Sequence, residues 1–310
     1  MADSSSGGVA ETKRHFALLG FLIRLVREKP LGTAGAIITL LLLFTAIFAD
    51  FIAPYGMNET NMADALLAPS AKYWLGTDNM GRDMLSRVIF GARVSVIVGL
   101  AGSSLATIVS LLIGIVSGYF GGKFDLIGQR FVDTFLCFPN LILLIVLTSV
   151  IGRGIVPVIV IIGFSWGIGG SRIIRSAVIG IKENVYVQAA QAIGCPTTRI
   201  LIRHILPNIM APTIILFTTR VPSVIMAEAS LSFLGFGIPP PAPSWGGMLS
   251  GQGRTYMFRA PWMAIWPGLA LSTVVYGVNM FGDAVRDLLD PRLRGGVGRY
   301  GGGVKKEVNE

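Results

Sequence analysis

Charged side chains make up only 14% of this sequence, where a water-soluble domain carries roughly 25%. That shortage excludes an ordinary soluble protein before any motif is considered. Histidine is nearly absent. His15 and His204 are the two present, too few for a His-rich metal centre. Cysteine is as sparse. Cys137 lies in an apolar run and Cys195 in a polar one, and two cysteines so placed make neither a disulfide framework nor a metal-binding spacing. A phosphate-cradling loop is missing too. G-x-x-x-x-G-K-[ST] needs both glycines and a hydroxyl residue after the lysine. The nearest stretch, SGYFGGKF (117–124), lacks the first glycine at that spacing and the Ser or Thr after Lys123. No catalytic residue and no cofactor is assigned to this chain.

What is abundant is apolar: 52% of residues are hydrophobic and the mean hydropathy is +0.67. A helix needs about 20 mostly apolar residues to cross a bilayer, and each span must satisfy its own backbone there. Six candidate spans fall near 31–53, 94–119, 133–152, 154–177, 208–236 and 262–285. The second carries Gly114, Gly118 and Gly122 four apart, a spacing suited to close helix packing. The chain reads as an all-α membrane protein of six transmembrane helices. Residues 1–30 read as a polar N-terminal tail rather than a cleavable signal peptide, because the apolar run begins only near Leu31. Residues 291–310 read as a polar C-terminal tail.

The net charge of +9 does not point to nucleic acid. The basic residues are scattered over loops, with no aromatic-interleaved basic patch. Orientation accounts for them better. With the N-terminus in the cytoplasm, 18 of the 26 Lys and Arg fall in inside segments, counting Arg172 and Arg175 at the inner end of the fourth span, and 7 outside, Arg220 lying within a span. That bias places both termini inside. It leaves outer loops near 54–93 and 238–261 and a cytoplasmic loop near 181–207.

That inner loop contains VQAAQAIGCPTTRILIRHILPN (187–208). Asn184 is placed to cap a short helix ending near Ile193. Gly194 can take the left-handed conformation that closes it, and Pro196 suits the first turn of the next helix. Arg199 and Arg203, four apart, share a face of that second helix. Pro207 marks a bend into the fifth span. The expectation is two short helices, rigidly angled, the first kept thin by Ala189 and Ala190. From the residues alone, the segment reads equally as a surface connector or as a docking element.

The same segment resembles the EAA loop of binding-protein-dependent ABC importer permeases. Ala189, Ala190, Gly194, Leu206 and Pro207 match the pattern, Gln188 stands where the family has Glu, and His204 stands where a hydrophobic residue is usual. Three further stretches, LGTDNMGRDMLSRVIFGARVS (75–95), AEASLSFLGFGIPPPAPSWGGML (227–249) and GDAVRDLLDPRLR (282–294), resemble the C-type permease subunit of dipeptide, oligopeptide and nickel importers. The resemblance implies a type I ABC importer permease fold with cytoplasmic coupling helices, spanning residues 31–290. It implies partners: a B-type permease subunit, two cytoplasmic ATPase subunits carrying ATP and Mg, and an extracytoplasmic solute-binding protein, in a bacterial or archaeal cytoplasmic (inner) membrane. It implies an ATPase-docking surface built from Gln188, Ala189, Ala190, Gly194, Pro196, Arg199, Arg203, His204, Leu206 and Pro207. The implied cargo is a short peptide, with nickel complexes, opines and sugar derivatives as alternatives.

Two features within the spans call for explanation. Ionisable groups at membrane depth are costly and tend to face an interior or a water-filled path. Arg220 and Glu228 are candidates to line the translocation pathway, Arg220 by meeting a cargo carboxylate. Their alternative is a structural contact, with a partner permease or a backbone carbonyl for Arg220 and near the outer surface for Glu228. Outside, the proline run of 238–249 leads into Trp245, Gly246 and Gly247. That stretch reads as an exposed aromatic surface for the binding protein or as a headgroup anchor. Residues 78–93 read as an amphipathic surface helix with Asp83 and Arg87 paired across one turn.

Rival classes are weaker. GFSWG (163–167) matches the G-x-S-x-G nucleophile pattern, but Ser165 would need a nearby histidine as base, and both histidines are predicted to lie outside the spans. A channel or secondary transporter fits the hydropathy but leaves the inner loop without a purpose.

Overall fold

The computed structural model describes residues 23–289, so residues 1–22 with His15, the C-terminal tail and the last residues of the 282–294 motif lie outside it, while residues 23–28 of the expected N-terminal tail are helical. The described residues are helical, with no strand beyond an isolated bridge between Thr77 and Asp83. Five helices are long and apolar enough to cross a membrane, and a sixth span exists if one bent pair counts as one.

Helix α1 (Pro30–Ile47) begins on a proline, whose missing N–H costs nothing in a first turn. Its apolar residues Leu31, Leu40, Leu41 and Phe44 stay exposed, as a lipid-facing surface requires. Helix α2 (Met84–Phe120) runs 37 residues. It absorbs the expected amphipathic surface helix: residues 78–83 form a tight loop, and 84–93 are simply the first turns of the long span. Asp83 does not pair with Arg87. Its carboxylate caps α2, accepting from the Ser86 N–H at 2.7 Å.

The third expected span is broken. Helix α3 (Gly122–Leu136) and helix α4 (Asn140–Ile151) meet at about 90° across Cys137-Phe138-Pro139. A proline disfavours helical backbone in the residue before it, and that turns the chain here. Helix α5 (Ile155–Lys182) returns beside α2. Gly114 and Gly118 let the backbones approach: a Cβ on either would meet α5 atoms, Ile174 and Ser171 O for the first, Arg175 O and Val178 for the second, within 3.0 Å. Gly122 takes no part and instead opens α3.

Helix α6 (Val185–Ala192) and the turn α7 (Thr197–Ile200) form an elbow. Helix α8 (Met210–Phe233) follows, then the short α9 (Trp245–Leu249) and the last span α10 (Trp262–Leu289). Helix α10 packs on α1, and α8 lies between α2 and α10. Three of the apolar cores among the described residues position the site. One joins α2, α5 and α8 through Val98, Val158, Ile162, Val224 and Leu231, each with no exposed surface. One joins the elbow to α2 and α5 through Tyr119, Ile174, Val178, Val187, Ile200 and Ile205. The third sets Trp245 among Leu42, Ile225, Leu271 and Val278.

Candidate functional site

The elbow is jointed where the sequence predicts, but by different means. Asn184 sits at the start of α6, yet its amide donates backward to Ile181 O at 3.1 Å and caps nothing ahead. Gly194 has φ +77°, a conformation that costs a side-chain-bearing residue roughly 1–2 kcal/mol. Pro196 precedes α7 rather than opening it. The larger difference concerns Pro207. Residues 201–205 form a π-helical turn and 206–209 a 3₁₀ turn, so the chain stays helical from Thr197 to Phe233. A proline lacks the N–H and crowds the carbonyl four residues back. The widened turn just before Pro207 relieves both. The second short helix is thus the first part of the span carrying α8, and the elbow has one joint, at Gly194-Cys195-Pro196.

The underside of the elbow is apolar and sealed: Val187 and Ile205 have no exposed surface, and Ala190 has 8%. Its outer face carries Gln188, Ala189, Arg199 and Arg203, all exposed. Neither arginine makes an ion pair among the described residues. His204 stacks loosely with Tyr186, ring centroids 6.3 Å apart. Behind the elbow runs a polar network that the sequence did not reveal. Gln191 Nε2 donates to Tyr119 Oη at 3.4 Å, and Lys182 Nζ donates to Tyr119 O at 2.7 Å. Arg175 holds Asp125 through two guanidinium nitrogens, Nε at 2.6 Å, and Asp125 also accepts from Ser117. Arg172 pairs with Asp133. These bonds tie α2, α3, α5 and α6 into one body.

In the middle of the bundle an open cavity of 720 Å³ lies against Trp166, Phe138, Asn140, Ser165, Thr219 and Arg220. Arg220, half buried, reaches from α8 into a notch on α5. Gly170 makes the notch: a Cβ there would lie 1.7 Å from Arg220 Nη2. Arg220 Nη1 donates to Ser110 Oγ on α2 at 3.1 Å. Ser165 Oγ has no hydrogen-bond partner, and no histidine lines the cavity, so the nucleophile pattern lacks a base here.

Glu228 does not reach this cavity. It is fully buried, accepts from Ser232 Oγ at 2.7 Å through one oxygen, and leaves Oε2 without a partner. The geometry therefore separates the two pathway candidates.

At the end of the bundle opposite the elbow, Trp245 is 2% exposed and donates from its indole N–H to Val88 O at 3.0 Å. Gly246 is buried beside it, and only Gly247 of the three is exposed. An exposed aromatic docking surface at Trp245 is thus corrected: the ring is a core residue that locks α9 onto α2. A second cavity of 560 Å³ opens nearby, lined by Arg82, Arg87, Arg153 and the Pro239–Pro241 run. Asp78 is its one carboxylate, 2.6 Å from Arg82 Nε and 3.7 Å from Arg87 Nε.

Comparison with known proteins bears on these geometries. Residues 110–295 match the family described as binding-protein-dependent transport system inner membrane component, and residues 18–69 match the N-terminal TM domain of oligopeptide transport permease C. The chain is 36% identical over 293 residues to an oligopeptide transport system permease protein of Bacillus subtilis, covering 94% of this chain and 96% of that one. It is 36% identical to a dipeptide transport system permease protein of Alkalihalophilus pseudofirmus (87% of this chain, 88% of that one). It is 36% identical to a glutathione transport system permease protein of Escherichia coli (88% and 90%). Among solved structures, inward-facing conformations of the MetNI methionine ABC transporter align over 67% of this chain and 98% of that one, at 17% identity and a TM-score of 0.49.

Proposed function

Because the chain belongs to the binding-protein-dependent transport system inner membrane components, we propose that it forms one half of the transmembrane pathway of an ATP-driven importer of short peptides. A B-type permease supplies the other half. Two cytoplasmic ATPase subunits hold ATP and Mg, and an extracytoplasmic solute-binding protein delivers the cargo. The membrane is the cytoplasmic membrane of a bacterium or archaeon, with both termini on the cytoplasmic side.

The observation that carries this reading is the elbow. Its apolar underside is fused to α2 and α5, its outer face is free, and its second arm is continuous with a spanning helix. Such a piece transmits a rigid-body displacement from an ATPase groove into the bundle, converting closure outside the membrane into alternating access within it. Gln188 to Ile205 form the docking surface, with Gln188, Ala189, Arg199 and Arg203 toward the ATPase, and with Ala190 (on the sealed underside), Gly194, Pro196, His204, Leu206 and Pro207 shaping it. At the far end, the cavity with three arginines and one carboxylate receives an acidic segment of the binding protein. Arg220 and its cavity lie on the route between.

Gly194→Val tests the coupling role. No atom lies within 4 Å of the position a Cβ would take, so the substitution acts through backbone strain of roughly 1–3 kcal/mol and not through a clash. In the reconstituted complex with its ATPases and binding protein, uptake per ATP hydrolysed is expected to fall severalfold while membrane insertion is unchanged. Wild-type coupling in that variant would remove the elbow from the mechanism.

A further inference from the structure

We propose that Arg220 is a transient binding site for the carboxylate of the cargo, so that this pathway favours small solutes with a free carboxylate and an apolar body. The inference rests on the transport reading above and names the chemistry its cavity selects.

Three observations converge. First, Arg220 is the one basic residue among those lining this cavity, and it forms no ion pair among the described residues. The two arginines of α5 are matched: Arg172 by Asp133 and Arg175 by Asp125. A guanidinium offers five donors in a fixed fork suited to a carboxylate. Here one donor is used, on a serine hydroxyl. Second, the charge is held in place by construction. The notch at Gly170 admits the guanidinium, and Ser110 accepts from it while itself bonded to Gly167 O at 2.8 Å. Three helices therefore fix the fork against the cavity wall. Third, the cavity beside it is lined by Phe135, Phe138 and Trp166, which suit an apolar body attached to the anion.

An unpaired cation away from bulk water gains strongly from a passing anion. The single serine bond leaves the site weak when empty. The pair is strong enough to draw an anion in and weak enough to release it when the surroundings open to water.

The test uses the complete complex with Cys137→Ser and Cys195→Ser, and Ser223→Cys as a reporter, since Ser223 lines the same cavity and is exposed. The probes are a sulfonate-bearing and a quaternary-ammonium-bearing methanethiosulfonate of similar size. With each rate divided by the same reagent's rate on a free thiol in solution, the anionic reagent is expected to react faster than the cationic one by on the order of tenfold, from Coulomb attraction at this range. Arg220→Gln should bring the ratio to about one, and Arg220→Lys should keep most of it. Uptake of alanyl-phenylalanine should fall severalfold more than uptake of its C-terminal amide in Arg220→Gln.

A ratio near one in the parent complex would mean that a partner subunit's carboxylate already neutralises Arg220, and the proposal fails. It fails as well if Arg220→Gln leaves the ratio unchanged, or lowers uptake of acid and amide equally. Should Arg220→Gln not assemble, the parent ratio and its retention in Arg220→Lys decide. A complex that moves neither peptide refutes the peptide reading, while the reagent ratio still decides whether Arg220 is an anion site.

Discussion

At Asp64, three donors converge on one carboxylate oxygen: Lys72 Nζ at 2.7 Å, Tyr73 Oη at 2.8 Å and Asn61 Nδ2 at 2.8 Å. The hydrogen bond from Lys72, then that from Tyr73, holds the Asp64 carboxyl below the ordinary aspartate range. A depressed folded-state pKa contributes stability that is present above the unfolded value and lost as pH falls through the folded one. The loop at 61–77 should therefore loosen only in acid, below the usual aspartate range. Nicking of this loop by pepsin, taken as a ratio to Asp64→Asn, should approach one as pH drops and fall well below one toward the upper end of the protease's range. A flat ratio would refute the role. Other residues could not be judged from the chain alone. Trp245 beside two glycines reads as exposed, but its partner Val88 is 157 positions away, and no local pattern encodes that contact. Arg220 was visible as a costly charge in an apolar run. Ser110 and Gly170, which give it a place to sit, were not.

Among elements, the informative contrast is between α3–α4 and α7–α8, each containing a proline. Pro139 turns the chain by about 90°, whereas Pro207 leaves it helical. The difference lies in the neighbours. The chain before Pro207 widens into a π turn, and Ile205 in that turn and Ile209 just past the proline are fully buried, so tertiary packing holds the helix through the proline. Phe138 before Pro139 is exposed, and nothing holds that turn straight. The bend then needs an anchor, which Arg175–Asp125 supplies. The side chains are 31% and 15% exposed, between the regimes of surface and buried pairs, so Asp125→Asn should cost about 1–3 kcal/mol. A lowered midpoint of thermal unfolding in detergent, with uptake falling in parallel, is the expected result. An unchanged midpoint would make the network incidental.

For the whole molecule, the elbow and the three-arginine cavity lie at opposite ends of one bundle, with the Arg220 cavity between them. That order is what a device coupling a delivery event at one face to a power stroke at the other requires. Two outcomes follow at this scale. A cysteine at Arg199 should react with a membrane-impermeant maleimide only in inside-out vesicles if the elbow lies in the cytoplasm as proposed from the basic-residue bias. Reactivity from the outside would invert the topology. The permease pair without its ATPases should accumulate no peptide under an imposed ion gradient. Gradient-driven uptake would make it a secondary transporter.

The sequence by itself determined the all-α membrane class, the places of five unbroken apolar spans, the position of the elbow and its left-handed glycine. These depend on local composition, backbone propensity and spacing, which are written in consecutive residues. Only the tertiary structure decided that the third span is bent, that Pro207 lies inside a continuous helix, that Trp245 is core, and that Arg220 rather than Glu228 faces the cavity. Each of these turns on contacts between segments far apart in the chain, where packing overrides local preference and sets which side of a helix meets protein and which meets open space.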